Sequence, residues 1–411
     1  MVQRLRPTLN AECDFLIVGG GVIGISIARS LLSRNSHAKI IIIEKELASA
    51  FHASGRNSGV LHAGFYYTAD SLKARFTREG CLRLKEYCRE NSLPINNCGK
   101  LVVAQTDEDL PQIDELLNRA RQNSVELHEV NAQEAFDLEP NVKFHERVLW
   151  SPQTSVVDPK CVVQHMAADL LSKGVRILFN TAYVRRESSN QVATTAGSIR
   201  FSYFINCAGL YADKVAADFG FSKKFRLLAF KGVYLKSTKA LPSFLKRHVY
   251  PVPNLKNPFL GVHFTITIDG RVKIGPTAIP AFWREQYAGL EGFALSEFIE
   301  LVVQGFGLCW NAEFDFLSLA IEEFKKYSKS YLRSQARNLV QKMDDKEFHE
   351  WGPSGIRAQL LNTETKKLEM DYVFEGDKDS FHVLNAVSPA FTSSLPFSEF
   401  ICDQIFTLLD R

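Results

Sequence analysis

Three glycines and one acid near the start of the sequence have the types and spacing needed to bind a dinucleotide. Gly19, Gly21 and Gly24 in GGGVIG fit the pattern G-x-G-x-x-G, and Glu44 follows 20 residues after Gly24. The first glycine permits a tight turn, the second lets the main chain approach a pyrophosphate, and the third allows close packing of a helix on a strand. A carboxylate placed like Glu44 accepts a hydrogen bond from a ribose hydroxyl. NAD and FAD are both bound in this way, so both remain open.

The segments around this motif are of the kind that would position it. DFLIV (14–18) predicts a strand buried on both faces, ISIARSLLSR repeats apolar residues at helical spacing, and KIIIIEK (39–45) predicts a second buried strand. The order is strand, glycine turn, helix, strand and acid, which places a pyrophosphate at a helix N-terminus. The alternative, a glycine-rich turn used only for packing, does not explain the acid.

Two later segments predict further units of the same kind. RFSYFINCAGLYADKVAADFG (200–220) repeats strand, small residues and helix, with Ala208 and Gly209 at the carboxyl end of the strand, where ligands approach such sheets. An ordinary tight turn is the alternative there. The helix predicted at 161–174 and the strand at 175–180 indicate a crossover unit with a strand at 148–152.

The pattern between about 225 and 285 is different and predicts a second domain. Short strand-like segments with turn residues, including a hairpin at Asp269-Gly270, indicate an antiparallel or mixed sheet. The fold class is therefore α/β, with a discontinuous Rossmann-type domain and an inserted α+β domain. The predicted pieces are 1–92, 150–222 and 350–411 for the first domain, and 93–149 and 223–349 for the second.

Composition excludes some functions and sets expectations for others. The 49 Lys+Arg and 46 Asp+Glu residues leave a charge of +3, which does not favour nucleic acid as a partner. Eight cysteines without a C-x-x-C pair indicate reduced thiols and no metal site. The N-terminus carries no apolar signal core and no apolar run is long enough to span a membrane. We expect a cytoplasmic protein, with peripheral contact at the inner membrane as the alternative.

Five motifs identify a family. GRNSGVLHAGFYY (55–67), NCAGLYAD (206–213), YPVPNLKNPFLGVHFT (250–265), GPSGIRAQ (352–359) and NAVSPAFTSS (385–394) resemble the L-2-hydroxyglutarate dehydrogenases and oxidases, within the D-amino-acid oxidase-like superfamily. The resemblance runs in order from about residue 14 to about 409. It implies FAD as cofactor, a mixed sheet on the substrate side, and oxidation of L-2-hydroxyglutarate to 2-oxoglutarate. Electrons would pass to a quinone, another acceptor or oxygen.

The resemblance also implies a set of cofactor-binding residues. They comprise the glycine turn, the acid strand and the segments that match the family motifs: Gly19, Gly21, Val22, Ile23, Gly24, Glu44, Lys45, Ser54, Arg56, Asn57, Ser58, Gly59, Leu61, Val184, Cys207, Ala208, Gly209, Gly355, Ile356, Pro389, Ala390, Phe391 and Thr392.

Oxidising a 2-hydroxy acid requires a carboxylate anchor, a base and a hydride acceptor, and the acceptor is the flavin. Arg357 is our anchor, since a guanidinium matches a carboxylate bidentately; a structural ion pair is the alternative. For the base we rank His62 ahead of His263, since a neutral imidazole accepts a proton near physiological pH. The alternatives are that His62 packs on or covalently holds the flavin, and that His263 is a core histidine. Tyr66, Tyr250, His263 and Lys231 complete the expected substrate contacts.

Two departures from the family pattern affect the expected substrate. Val233 stands where the family has an acid, and Thr277 stands where it has Asn. The alternatives are a related flavoenzyme acting on another small hydroxy acid, an amino acid or glycerol-3-phosphate, and a flavin-binding scaffold without catalysis. The sequence sets neither the oligomeric state nor the electron acceptor.

Overall fold

A computed structural model describes residues 9–254, 260–311 and 316–410. For residues 9, 304–311, 316, 317 and 319 this description covers the main chain only. Residues 255–259 of the third family motif, YPVPNLKNPFLGVHFT, therefore lie outside the described residues. The strands are β1 (Leu9–Val18), β2 (Ile40–Ile43), β3 (Val60–Leu61), β4 (Ile95–Asn96), β5 (Lys100–Val103), β6 (His128–Val130), β7 (Val148–Ser151), β8 (Ser155–Val157), β9 (Arg176–Leu178), β10 (Tyr183–Ser188), β11 (Gln191–Thr194), β12 (Gly197–Asn206), β13 (Phe225–Gly232), β14 (Leu235–Lys236), β15 (His248–Pro251), β16 (His263–Ile266), β17 (Val272–Gly275), β18 (Ile279–Pro280), β19 (Glu350–Trp351), β20 (Gly355–Asn362), β21 (Val373–Gly376) and β22 (Ser380–Asn385).

The helices fall where apolar residues recur at helical spacing. They are α1 (Val22–Arg34), α2 (Leu72–Glu90), α3 (Leu110–Gln122), α4 (Ala132–Leu138), α5 (Pro159–Ser172), α6 (Ala212–Asp218), α7 (Leu295–Asn311), α8 (Phe316–Lys325), α9 (Lys329–Ala336) and α10 (Ala390–Leu409). Across the described parts of the chain, none of them combines the length and the apolar character required to cross a bilayer.

The chain divides into two compact units, each made of separate pieces. Unit 1 contains 1–55, 160–227 and 358–411, and unit 2 contains 56–159 and 228–357. The predicted FAD-binding domain includes 56–92, 150–159 and 350–357, whereas packing places these residues in unit 2. Packing does not test which residues bind the cofactor, so the domain assignment stays a prediction.

Unit 1 is built on an eight-stranded sheet with the order β10-β11-β12-β1-β2-β9, in which β22 also pairs with β12 and β21 with β22. β1 lies parallel to both β2 and β12, and β2 lies parallel to β9. The four isoleucines of β2 are all buried, as expected for a strand covered on both faces. α1 packs against α10. This is the predicted Rossmann-type α/β arrangement.

Unit 2 contains an eight-stranded mixed sheet with the order β19-β14-β17-β16-β15-β5-β7-β6 and a small sheet with the order β3-β8-β4. β16 and β17 form an antiparallel hairpin around Asp269-Gly270, as predicted. Only the pairing of β15 with β5 is parallel among the pairings described for the larger sheet. β13 and β20 carry the chain across the unit boundaries at 227/228 and 357/358.

One predicted connection is wrong. The sequence indicated that the helix near 161–174 joins two strands of one sheet. β7 and β8, which precede α5, belong to sheets of unit 2, whereas β9, which follows it, lies beside β2 in unit 1. α5 therefore connects two different sheets and does not form a crossover unit.

Candidate functional site

The glycine turn lies at an edge of the unit 1 sheet where three parallel strands end together. In the register of the sheet, Val18 is paired with both Ile43 and Asn206. The residues that follow these three positions are Gly19, Glu44 and Cys207, so the turn, the acid and the second predicted turn share one edge. This is the position at which parallel α/β sheets bind ligands.

The three motif glycines have different roles in the packing. Gly19 has φ +110°, and a Cβ there would lie 2.3 Å from the carbonyl oxygen of Cys207. A Cβ on Gly24 would lie 2.1 Å from the carbonyl oxygen of Gly19, so only glycine lets α1 start this close to the strand. A Cβ on Gly21 would meet only the Oγ of Ser54, at 3.0 Å. Gly21 is therefore the glycine with space in front of it, as a pyrophosphate requires.

The carboxylate of Glu44 is buried and holds the turn. Its Oε2 accepts a hydrogen bond from the N–H of Gly20 at 2.8 Å, and its Oε1 accepts one from the N–H of Glu46 at 2.9 Å. Each oxygen has a second lone pair for a ribose hydroxyl. The acid thus both orders the glycine turn and remains able to accept from a ligand.

A cavity of about 390 Å³ opens beside this edge within unit 1. This is a typical volume for a small-ligand pocket. Four of the predicted cofactor residues line it, namely Gly19, Lys45, Val184 and Ala208. Sequence reasoning missed other lining residues, among them Thr181, Tyr183, Tyr211 and Lys214. The nearest signal was Tyr211 in the NCAGLYAD motif.

The remaining cofactor candidates of unit 1 lie at turns and helix starts. Val22 and Ile23 begin α1, and the Oγ of Ser54 accepts a hydrogen bond from the N–H of Val22 at 2.9 Å. The N–H of Cys207 donates to the carbonyl of Val18 at 2.9 Å. Gly209 adopts φ +56° just before α6.

The first turn of α10 carries the last group of these candidates. Pro389 is the residue before the helix and follows a cis peptide bond. Ala390, Phe391 and Thr392 form the first turn, and Ala390 and Thr392 are buried. The positive end of the helix dipole at this turn is a suitable partner for an electron-rich edge of a ligand.

The cofactor candidates at the start of unit 2 contact neighbouring parts of the protein. The Oδ1 of Asn57 accepts from the N–H of Gly59 at 2.8 Å, and the Oγ of Ser58 accepts from the N–H of Val60 at 3.3 Å. Leu61 is fully buried in β3. These side chains order the segment that ends at His62.

Arg56 packs against a second candidate segment of unit 2. Its guanidinium donates to the carbonyl of Ser354 at 3.2 Å and lies 4.2 Å from the ring centroid of Tyr287. A Cβ on Gly355 would lie 2.6 Å from the carbonyl oxygen of Arg56, and the neighbouring Ile356 is buried. Gly355 is thus required by this close approach of two main-chain segments.

The glycines of GRNSGVLHAGFYY are explained by the protein's own main chain. A Cβ on Gly55 would lie 2.0 Å from the carbonyl oxygen of Ala50, and one on Gly59 would lie 2.2 Å from that of Val157. Gly59 and Gly64 also have positive φ angles of +80° and +107°. Gly55 and Gly59 are thus required by close contacts with the protein's own main chain.

His62 is buried in unit 2 in a positively charged environment. Burial lowers its pKa well below 6.5, and the charges of Lys100, His263, His248 and Arg357 lower it further. His62 and Arg357, the two residues ranked first from the sequence, are therefore within electrostatic range of each other. A neutral imidazole in such a place is ready to accept a proton.

His263 is buried and oriented by its neighbours. Its Nδ1 donates to the carbonyl of Gly261 at 2.8 Å, which leaves Nε2 as an acceptor in the neutral ring. The ring stacks on Tyr250 with the centroids 3.7 Å apart. Burial lowers the pKa of His263 to about 3. The hydroxyl of Tyr250 is 3.4 Å from that of Thr265.

His248 was not identified from the sequence. Its Nδ1 accepts from the N–H of Ile266 at 3.1 Å, so the neutral ring carries its hydrogen on Nε2, 3.2 Å from the Sγ of Cys98. Burial and the charge of Lys100 lower its pKa to about 3. Because both ring nitrogens contact the protein, His248 supports the sheet and is a weaker candidate for chemistry.

Arg357 lies at the unit 2 end of β20, half-buried. Burial lowers its pKa, and Tyr234, Tyr67 and Glu323 act in the opposite direction. Burial in turn raises the pKa of Tyr234 to about 12, so its hydroxyl is protonated at neutral pH. Arg357 thus lies within electrostatic range of two phenols and of the carboxylate of Glu323. A guanidinium is the side chain that pairs best with a carboxylate ligand.

The two departures from the family pattern are in direct contact. The N–H of Val233 donates to the Oγ1 of Thr277 at 3.1 Å, and this hydroxyl donates to the carbonyl of Lys231 at 3.0 Å. The N–H of Thr277 donates back to the carbonyl of Val233 at 3.2 Å. Burial lowers the pKa of Lys231. Val233 and Thr277 thus satisfy main-chain groups and contribute no charge.

Comparisons with solved structures define the fold. The L-alpha-glycerophosphate oxidase of Mycoplasma pneumoniae is 22% identical, with a TM-score of 0.74 over 97% of this chain and 95% of that one. The glycine oxidase of Geobacillus kaustophilus is 19% identical, with a TM-score of 0.72 over the same shares. The fold is that of these flavin-type oxidases.

The family follows from the sequence comparisons. The family model described as FAD dependent oxidoreductase matches residues 14–404, and the chain belongs to this family. The L-2-hydroxyglutarate dehydrogenase of Escherichia coli is 34% identical over 96% of this chain and 94% of its own. The mitochondrial enzyme of the same name from Bos taurus is 33% identical over 98% of this chain and 91% of its own. The protein is an FAD-dependent oxidoreductase, as predicted.

The described residues of unit 1 fit the dinucleotide part of FAD. The free space at Gly21, the start of α1, the lone pairs of Glu44 and the adjoining cavity supply what a pyrophosphate and a ribose need.

Replacing Gly24 with alanine should remove most of the bound FAD. The new Cβ would press on the carbonyl of Gly19, and relieving that contact must shift the turn, at a cost of about 1–3 kcal/mol. We expect the FAD affinity to fall roughly 5- to 150-fold, measured as flavin content per chain and by reconstitution. Gly174→Ala is the matched control, since Gly174 has φ +88° but no atom within 4 Å of a new Cβ. Equal FAD content in both variants would contradict this role.

Proposed function

We propose that this enzyme oxidises L-2-hydroxyglutarate to 2-oxoglutarate. One observation carries the proposal: in unit 2, Arg357 lies within electrostatic range of the buried His62, whose pKa is held well below 6.5. A cation and a neutral base within electrostatic range are what a 2-hydroxy acid requires. The substrate itself is suggested by the names of the bacterial and animal relatives.

In this proposal each residue has one task. Arg357 binds the C1 carboxylate through its planar guanidinium and so fixes the carbinol carbon. A ring nitrogen of His62 takes the hydroxyl proton. The hydroxyl of Tyr66, which has no hydrogen-bond partner among the described residues, donates to the substrate. FAD, when bound, supplies the acceptor for the hydride that leaves C2.

His263 is assigned to substrate binding rather than to proton abstraction. Its Nε2 is available to a ligand, while its Nδ1 and its stacking on Tyr250 fix the ring. Tyr250 and Lys231 complete the substrate contacts that we propose. The FAD contacts remain those expected from the sequence, and the FAD-binding domain comprises 1–92, 150–222 and 350–411.

A second candidate is a related flavoenzyme that acts on another small acid, amine or phosphate. The contact between Val233 and Thr277 favours it, because Val233 removes an acid and Thr277 replaces an amide by a hydroxyl that is engaged with the main chain. A substrate panel separates the two candidates: L-2-hydroxyglutarate, L-lactate, glycine and sn-glycerol-3-phosphate are added to the yellow enzyme under anaerobic conditions. Loss of the flavin colour with L-2-hydroxyglutarate supports the first, and loss only with one of the others supports the second.

We also propose a cytoplasmic enzyme that contacts a membrane peripherally to pass electrons to a quinone. Support comes from large apolar side chains that are exposed between residues 282 and 303, namely Phe282, Leu290, Phe293, Leu295, Ile299 and Val303. Sedimentation with phospholipid vesicles tests this contact. An enzyme that stays in the supernatant and is reoxidised by oxygen but not by a quinone analogue would exclude it.

A further inference from the structure

Lys100 is a buried cation that the sequence did not single out. It opens β5 and is 0% exposed. Its Nζ lies 4.6 Å from the ring centroid of Phe65, 4.4 Å from that of Tyr66 and 4.8 Å from that of Tyr250. Among the described residues, no atom accepts a hydrogen bond from this Nζ. A buried ammonium without an acceptor costs stability, so its presence calls for an explanation.

One of the three rings around Lys100, that of Tyr250, connects it with two buried histidines. Tyr250 stacks on His263, with the centroids 3.7 Å apart, and meets the ring of His248 edge-on at 6.4 Å. Aromatic faces stabilise an ammonium by cation–π attraction. Lys100 is therefore the group in this cluster that the surroundings favour as a cation.

We propose that Lys100 is a positioning residue for the proton-accepting histidine: its ammonium, held among three aromatic rings, adds to burial in keeping His62 neutral and so helps to set the lower pH limit of the oxidation. This inference rests on the proposed function. Two like charges close together in a buried site repel strongly, so the cluster holds one positive charge more readily than two.

The electrostatics of the cluster support this assignment. The charge of Lys100 lowers the pKa of His62, of His248 and of His263. Burial lowers the pKa of Lys100 itself to about 7, so it is charged in the acidic range where a histidine would otherwise take the proton. The titratable groups that take part come from several elements and are Cys81, His62, Tyr66, His248, Tyr250, His263 and Arg357.

The test compares Lys100→Met with Lys100→Arg. Methionine keeps an apolar stem against the rings and removes the charge, whereas arginine keeps the charge. The acid limb of kcat/KM against pH should move up by about one pH unit in Lys100→Met, because the pKa of His62 rises when the neighbouring cation is removed. Lys100→Arg should leave the limb near its wild-type position. Lys325→Met, at an exposed lysine of unit 2, is the control. An unmoved limb in Lys100→Met overturns the proposal.

A spectroscopic measurement on the wild-type enzyme keeps this test separate from the proposed function. In histidine-labelled protein, NMR should show that His62 stays neutral as the pH falls through 6.5, and that it titrates at higher pH in Lys100→Met. A His62 that titrates near 6.5 in the wild type overturns the role of Lys100 even if L-2-hydroxyglutarate is oxidised. Failure of the substrate panel with the expected His62 titration would instead overturn the proposed function.

Stability gives a further readout. The pKa of Lys100 is about 7 in the folded chain against 10.5 for an ordinary lysine, so between these values the unfolded chain binds more protons and wild-type stability rises with pH. Lys100→Met lacks this rise. It should therefore melt at a higher temperature than the wild type at pH 7, and the difference should narrow towards pH 10. A Lys100→Met variant that is less stable at pH 7 would show that Lys100 is a packing residue only.

Discussion

Arg357→Met should lower kcat/KM for L-2-hydroxyglutarate roughly 100- to 5,000-fold while FAD stays bound. Methionine removes the guanidinium that we propose pairs with the C1 carboxylate, and losing one partner of a desolvated charge pair costs about 3–5 kcal/mol. The kcat/KM of Arg357→Lys should lie between that of the wild type and that of Arg357→Met, with a raised KM, because lysine keeps the charge but lacks the bidentate geometry. Steady-state kinetics with flavin content measured on the same samples gives this result.

The control for Arg357 is Arg337→Met. Arg337 belongs to the same unit, is 52% exposed and pairs with Asp345, so its loss should leave both kinetics and flavin content unchanged. Loss of flavin in Arg357→Met would place Arg357 at the cofactor. Unchanged kcat/KM would make it the structural ion pair that the sequence left open.

His62→Asn should lower kcat about 10²- to 10⁴-fold, the usual contribution of a general base. It should also flatten the acid limb of the pH profile. A base works when deprotonated, so in the wild type kcat/KM rises with pH up to the pKa of His62 and is level above it. Because burial and neighbouring charges hold that pKa well below 6.5, the wild-type limb should lie below pH 6.5. The measurement is kcat and kcat/KM against pH.

Two further histidine variants serve as a control and as a test of which histidine is the base. His128→Asn alters an exposed histidine of the same unit and should change nothing. His263→Asn should raise KM but keep the limb, since His263 is assigned to binding. If the limb disappears in His263→Asn and persists in His62→Asn, the base is His263.

The dinucleotide edge was predictable because its signals are local. Strand, glycine turn, helix and acid lie within one stretch of sequence. The pattern implies both the tight contacts that require Gly19 and Gly24 and the free space at Gly21. The register that aligns Val18 with Ile43 and Asn206 then follows from parallel pairing. The remaining cofactor candidates were predicted from the resemblance of the chain to the family.

Features that depend on distant residues were not predictable. α5 was assigned to a crossover because a local pattern does not tell which sheet a strand joins. Gly59 is required by the carbonyl oxygen of Val157, a residue from a distant part of the chain. Lys100 at the start of KLVV resembles an exposed strand end, and one of the rings that bury it, Tyr250, lies 150 residues further along the chain.

Oxidation of the L enantiomer of 2-hydroxyglutarate by this flavoenzyme can be followed in one experiment, in which each enantiomer is added to the oxidised enzyme without oxygen and the flavin absorbance is recorded. We expect rapid bleaching with L-2-hydroxyglutarate, stoichiometric formation of 2-oxoglutarate, and no bleaching with the D enantiomer. A flavin that stays oxidised with the L enantiomer, or is reduced equally by both, would contradict this expectation.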